Sequence, residues 1–182
     1  LIEQHLRQPR SSRLPVLIVA AAYEAARAHL GETHTTLMPH NAADEQTQSL
    51  GDLEITLVDE QRITTTYEMK SRVVRKEDID RAIQKIQSGS KIPSQYVFIT
   101  TEPIDEKAQE YAFNLYAMTQ GIEFVILDCV SFLRHFLHLF HRLRMAFLDA
   151  YQQLVLSEPD SAVSQPLKEV FLTLRQAAEQ TE

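Results

Sequence analysis

The sequence predicts a mixed α/β (α+β) fold, in which a central mixed sheet is flanked by helices and followed by further helices toward the C-terminus. Apolar and polar residues alternate through residues 51–70, which predicts an antiparallel hairpin. Two short apolar runs later in the chain, separated by a helical pattern, predict buried parallel strands. A chain of 182 residues is long enough to bury one such core.

Composition narrows the class of protein. The chain is 44% hydrophobic and 24% charged, as in ordinary globular domains. No apolar run reaches the roughly 18 residues that a membrane-spanning helix needs, and the single cysteine, Cys129, excludes a disulfide framework. We therefore expect a cytoplasmic protein outside the membrane. A net charge of −7 argues against a uniformly basic nucleic-acid-binding surface, but a local basic patch is compatible with it.

The segments before the hairpin carry fewer signals. Residues 1–13 contain three arginines with Pro9 and two serines, which favours a solvated, mobile start over a phosphate-contacting arm. Apolar spacing predicts a helix over residues 14–30, ended by Gly31, with Glu24 in its middle. A short strand over residues 34–39 leads into a polar loop over residues 40–50, where Asn41 is a candidate DNA contact.

The hairpin over residues 51–70 is the most informative part of the sequence. Its turn falls at residues 59–62, and each strand has an apolar face, formed by Leu53, Ile55 and Leu57 and by Ile63, Tyr67 and Met69. If both apolar faces meet the same core, the register is fixed. Charged side chains then share the other face, within roughly 5–8 Å of one another. These are Asp52, Glu54, Glu68 and Lys70.

This group of charges has a chemical interpretation and a plainer alternative. Carboxylates so close repel each other unless a cation lies between them, and Mg²⁺ prefers carboxylate and water oxygens. Lys70 would then orient an attacking water and stabilise the charge that develops on a phosphodiester. The alternative is a solvated sheet face that carries ordinary charges.

The hairpin also resembles the active site of a known superfamily. Asp52 on one strand, followed by Glu68-Met69-Lys70 on the next, resembles the motif of PD-(D/E)XK nucleases, with Gly51 in place of the proline. A longer match is similar to type II restriction endonucleases of the SacI type, and it consists of residues 41–44, residues 51–55 and residues 67–70. The resemblance covers roughly residues 1–130 and implies a restriction-endonuclease-like core.

The same resemblance implies a reaction. It is Mg²⁺-dependent hydrolysis of double-stranded DNA at a short sequence by a homodimer, with one or two metal ions per site. Asp52 and Glu68 are the implied metal ligands, Lys70 positions the water, and Glu54 and Glu24 are optional further ligands. Two alternatives stay open: a repair or structure-specific DNA nuclease of the same fold, and a non-catalytic DNA-binding or assembly module.

The chain after the hairpin predicts one basic region and several elements. A helix over residues 77–88 is surrounded by candidate phosphate ligands, although solvated charges on a helix edge would look the same. These candidates are Arg72, Arg75, Lys76 and Lys91. Residues 95–100 and 122–127 predict a parallel strand pair joined by a helix over residues 104–120.

The last third of the chain predicts helices. One long helix is expected over residues 130–156 and a short one over residues 167–178. We therefore predict a nuclease core over residues 1–128 and a helical extension over residues 129–182, which packs on the core or at a dimer interface.

Overall fold

The computed structural model describes residues 1–37 and 49–180, in which a five-stranded mixed sheet lies between two layers of helices. The strands are β1 (Glu32–His34), β2 (Leu53–Leu57), β3 (Ile63–Lys70), β4 (Gln95–Thr100) and β5 (Glu123–Asp128). The helices are α1 (Ile2–Leu6), α2 (Leu14–Leu30), α3 (Lys76–Ser88), α4 (Glu106–Asn114), α5 (Cys129–Leu139), α6 (Arg144–Ser157) and α7 (Gln165–Glu179). The predicted fold class is confirmed.

The strands lie in the sheet in the order in which they occur along the chain. β1, β2 and β3 are antiparallel, whereas β3, β4 and β5 are parallel. The hairpin and the later parallel pair are thus confirmed. Near the turn the register shifts between Ile55 and Thr56. This shift buries Thr56 and leaves Leu57 37% exposed, so the predicted inward position of Leu57 is wrong.

Each face of the sheet has its own apolar core. Leu53, Tyr67 and Val97 lie on the face that packs against α2, α5, α6 and α7. Tyr96 and Phe98 lie on the opposite face, under α3 and α4. Side chains alternate along a strand, so the charged positions of the hairpin lie on the face covered by α3.

α2 forms as its sequence predicts. Pro15 occupies its first turn, where a missing N–H does no harm, and Gly31 ends it with a left-handed φ of 66°. Ten of its residues are buried, because both the sheet and α6 pack against it. α2 therefore forms the centre of one helical layer.

Three elements differ from the sequence prediction. The start of the chain is not solvated, because α1 buries Ile2 and His5 completely or nearly so. The first strand ends at His34 instead of beginning there. The long C-terminal helix is broken after Leu139, where Phe140 leaves the helical backbone region, and a 3₁₀ turn follows. The break lets Phe136 and Phe147 both reach the same core.

The C-terminal helices contribute to the core itself. Phe147, Tyr151 and Phe171 belong to the same buried cluster as α2. His5 of α1 lies among them, and it binds the Tyr151 hydroxyl and the Leu167 carbonyl oxygen at 3.0 Å each. Among the residues that the structure describes, no helix combines the length and the apolar character needed to cross a bilayer.

Candidate active site

Asp52 is held at the point where β2 begins. Its N–H donates to the Tyr67 carbonyl oxygen at 2.8 Å, and its Oδ2 accepts from the Met69 N–H at 2.7 Å. The Asp52 carboxylate thus accepts a backbone hydrogen bond from the end of β3 that a neighbouring strand would otherwise accept. Since Leu53 pairs with Tyr67, Asp52 lies across from Glu68. The predicted juxtaposition of these two acids is therefore present in the backbone pairing.

Gly51 is required by the close approach of β3. A Cβ at this position would lie 2.6 Å from the Tyr67 carbonyl oxygen and 2.8 Å from Thr66 Cγ2. Contacts this short do not occur without movement of the backbone. Glycine at position 51 therefore has a local steric reason, and it brings Asp52 against β3.

Glu68 is surrounded by hydrogen-bond donors and positive charges. The Lys70 ammonium forms an ion pair with it, and Lys85 Nζ of α3 lies 4.0 Å from its Oε2. The buried Tyr96 hydroxyl also donates to Oε2 and lies 2.8 Å from the Leu50 carbonyl oxygen. The side chains of Glu68 and Lys70 are 14% and 20% exposed. The site is therefore open to a substrate but mostly enclosed by protein.

Glu54 and Glu24 have partners of their own. Glu54 is buried, accepts from the Leu50 N–H at 2.9 Å and pairs with Lys91 at 3.1 Å. Glu24 lies on α2, in the layer on the other face of the sheet, and its carboxylate is 3.0 Å from His34 Nε2. The contacts of Glu24 do not bring it to Asp52 and Glu68. Glu54 shares their face, but its charge is already compensated.

Asp78, in the first turn of α3, is the most enclosed acid near the site. Its carboxylate binds Arg72 at 2.5 and 2.8 Å, Arg81 at 2.5 Å and the Arg75 N–H at 3.0 Å, and it lies 3.8 Å from the Lys70 ammonium. Burial alone would raise the pKa of Asp78, but these donors and the Lys70 charge lower it to about 2. Asp78 is therefore a stable anion.

The predicted phosphate ligands are all matched with acids. Arg72 pairs with Asp78, Arg75 with Asp105, Lys76 with Asp80 and Lys91 with Glu54. Their side chains stay between 40% and 55% exposed. They are therefore already in contact with solvent, and a ligand would bind them by sharing or exchanging these partners. Asn41 lies outside the described residues.

A cleft of about 680 Å³ opens beside Lys70. Its walls are the segment after α1, including Arg7 and Arg10, and the carboxyl ends of β3, β4 and β5. Arg134 in the middle of α5 also lines it and pairs with Glu3. The ends of parallel strands are where α/β folds commonly bind ligands. This cleft is large enough for a segment of a polynucleotide strand.

The donor set fits a divalent metal of the implied kind. Asp52 and Glu68 offer carboxylate oxygens from neighbouring strands, and Mg²⁺ commonly takes one or two protein carboxylates with water and phosphate oxygens completing its shell. Among residues 1–37 and 49–180, no group of three or more His, Cys, Asp or Glu side chains could hold a metal ion.

Two residues near the site, Tyr96 and Asp78, escaped the sequence interpretation, and the basic residue Lys85 approaches Glu68, a contact that the sequence did not indicate. Lys85 lies beside the apolar positions of α3 in the sequence. Its distance from Glu68 depends on how the helix packs on the sheet. Tyr96 appeared only as part of an apolar strand, and Asp78 as a favourable charge in the first turn of a helix. Glu68 and Glu54 already have lysine partners. These lysines reduce the repulsion between carboxylates, which was the reason to expect a metal ion.

Comparison with known protein families gives a match over the first half of the chain. The sequence model of a family described as SacI restriction endonuclease C-terminal domain matches residues 1–100. This span runs from α1 through β4 and includes Asp52, Glu68, Lys70 and Asp78. No curated protein matches the chain.

Proposed function

Because the chain belongs to the family of the SacI restriction endonuclease C-terminal domain, and is thus a restriction nuclease domain that acts on DNA, we propose that it is a Mg²⁺-dependent endonuclease that cuts double-stranded DNA at a short specific sequence. The observation that carries the proposal is the position of Asp52 across from Glu68 on paired strands, with the Lys70 ammonium against Glu68. These residue types in this arrangement suit phosphodiester hydrolysis.

The roles follow from the chemistry of each side chain. Asp52 and Glu68 would hold one or two Mg²⁺ ions per site, and a bound ion would supply positive charge to stabilise the transition state at phosphorus. Lys70 would orient the attacking water and donate to a non-bridging phosphate oxygen. The water oxygen forms the new bond to phosphorus and the bond to the 3′ oxygen breaks. The products carry a 3′-hydroxyl and a 5′-phosphate.

DNA would lie across the open side of Lys70. The cleft beside this residue would accept one strand, and the cations near the two ends of α3, which do not line the cleft, would contact phosphates beyond it. Arg72, Arg75, Lys76 and Lys91 each have a carboxylate partner. Contact with phosphate therefore involves sharing or exchange of partners, and binding should weaken steeply with salt. Asn41 would be a further DNA contact.

A homodimer is part of the proposal. One site of this kind cuts one strand at a time, and a symmetric pair of sites would cut both strands of a symmetric sequence. Light scattering of the chain with and without a DNA duplex measures the mass of the assembly. A mass of one chain per duplex during double-strand cleavage would contradict this part.

The decisive experiment is cleavage of methylation-free plasmid and genomic DNA with Mg²⁺ or Mn²⁺. We expect discrete fragments from the wild-type chain. Lys70→Ala should lower the rate by about 10²–10³-fold, because it removes one charge-stabilising donor, and Asp52→Asn should lower it at least as much. All variants should keep the wild-type circular dichroism spectrum.

A matched control separates chemistry from surface charge. Lys107 is exposed on α4, away from the hairpin, so Lys107→Ala should cut within a factor of about two of the wild type. If the folded wild-type chain left every DNA intact with both metals, the proposal would fail. Equal rates for Lys70→Ala and Lys107→Ala would remove Lys70 from the mechanism.

A further inference from the structure

The buried carboxylate of Asp78, on the α3 side of the active site, is surrounded by more positive charge than is required to neutralise it. The side chain of Asp78 is 0% exposed. The Arg72 and Arg81 guanidinium groups bind it directly, and Lys70 Nζ is 3.8 Å away. We call these four residues the Asp78 cluster. A buried anion requires compensation, yet one cation would neutralise it.

The surplus charge faces the solvent beside Lys70. The Arg72 and Arg81 side chains are 53% and 61% exposed, although the carboxylate that anchors them is enclosed. Three cations and one anion leave a net charge of about +2. With Glu68, Asp52 and Lys85 included, four cations face three carboxylates, which still leaves a net charge of about +1. A phosphate group has the charge and the acceptor oxygens to complement guanidinium groups held in this way.

Asp78 also fixes where these cations lie. It binds Arg72 through both carboxylate oxygens and accepts from the Arg75 N–H at 3.0 Å, which ties the loop after β3 to the first turn of α3. Arg81 reaches the same carboxylate from one turn further along the helix. Arginine and lysine side chains lose considerable rotamer freedom when they bind. Prior ordering by Asp78 reduces that loss at the moment of binding.

We propose that Asp78 is a positioning residue, which holds Lys70 at Glu68 and directs Arg72 and Arg81 at a backbone phosphate of the strand that is cut. Arg81 is thereby a DNA ligand in addition to those predicted from sequence. This inference rests on the proposed function. A purely structural role for Asp78 would impair the cleavage rate and DNA binding together. A positioning role impairs the cleavage rate much more than DNA binding.

The first variant is Asp78→Asn, which keeps the shape of the side chain but removes its charge. The rate of plasmid cleavage at saturating DNA should fall by about 10–100-fold, the usual effect of losing a group that orients a reacting residue. Binding to a labelled 30-base-pair duplex in EDTA should change much less than the rate. The reason is that the cluster gains one positive charge where the phosphates lie, which offsets the lost ordering of Arg72 and Arg81.

The second variant, Arg81→Ala, tests the ligand role. It should weaken duplex binding and lower the slope of log affinity against log salt by about one, because one phosphate contact is lost. Glu77→Gln is the matched control, since Glu77 is an exposed acid in the first turn of the same helix. Its cleavage rate should stay within a factor of about two of the wild type.

The outcomes separate the two proposals. If the wild type cuts DNA and Asp78→Asn cuts as fast as Glu77→Gln, the inference fails while the proposed function stands. Parallel loss of cleavage, duplex binding and unfolding midpoint in Asp78→Asn would show a purely structural role and would also overturn it. An unchanged salt slope in Arg81→Ala would refute the ligand role of Arg81. If the folded wild type neither cuts nor binds DNA, the proposed function fails and the inference with it.

Discussion

The substitution Gly51→Ala tests whether close strand packing sets the position of Asp52. The added Cβ would lie 2.6 Å from the Tyr67 carbonyl oxygen, about 0.8 Å less than the 3.4 Å at which ordinary contact begins. The clash is with backbone, which has no alternative rotamer. The Asp52 N–H donates to this same oxygen at 2.8 Å, so the strain should fall directly on that hydrogen bond.

Two magnitudes follow from this clash. Overpacking of a tight site costs about 1–3 kcal/mol, and urea denaturation of Gly51→Ala should show a loss of unfolding free energy in this range. A reacting group displaced by close to 1 Å can lose about 10²-fold in rate. We therefore expect plasmid cleavage to fall by about 10–100-fold at temperatures where the variant is fully folded.

Gly89→Ala is the control for this experiment. Gly89 ends α3 with an extended backbone, and the nearest atom to its added Cβ would be the Lys85 carbonyl oxygen at 3.2 Å. This variant should cost less stability and keep wild-type cleavage. Wild-type stability and cleavage in Gly51→Ala would refute the steric argument. A loss of stability without any loss of rate would refute its connection to Asp52.

Two further substitutions test the buried polar groups. Tyr96→Phe removes the donor to Glu68 and should slow cleavage by about tenfold while lowering the unfolding free energy by about 1–3 kcal/mol; wild-type values in both assays would contradict the role of the hydroxyl. Burial lowers the pKa of His5 from 6.5, although its bond to a backbone carbonyl opposes the shift. The folded chain therefore binds this proton less readily than the unfolded chain, and stability should decline as the pH falls below about 6.5. Urea denaturation across this range should show the decline in the wild type but not in His5→Gln, and equal pH dependence in both would refute the assignment.

The hairpin was predictable from sequence because its information is local. Alternation over β2 and β3 determines which side chains share a face, and the pairing of Leu53 with Tyr67 then places Asp52 across from Glu68. The shift at Ile55 was not predictable. It depends on how the turn joins two strands of unequal length, and nothing in the alternation marks it.

The surroundings of Glu68 were less predictable because they depend on tertiary contacts. An acid in the first turn of a helix looks the same in sequence whether it is solvated or buried, and Asp78 is buried only because α3 lies against the sheet. Tyr96 has the apolar neighbours of a core residue, and its hydroxyl finds Glu68 one strand away. α1 was not predictable because its five residues are too few to show a helical period, and the arginines that follow it are typical of a solvated segment.

The location of the bulge explains how the hairpin can be irregular and still hold a precise site. The shift between Ile55 and Thr56 lies on the turn side of Leu53, and the register from Leu53 to the end of β3 is continuous with β4. A slip of one residue on the site side would turn the charged face into the α2 core and separate Asp52 from Glu68. The apolar face that contacts α2 therefore opposes any such slip. The same packing that stabilises the fold keeps the two carboxylates opposite each other, and the turn end of the hairpin absorbs the irregularity without moving them.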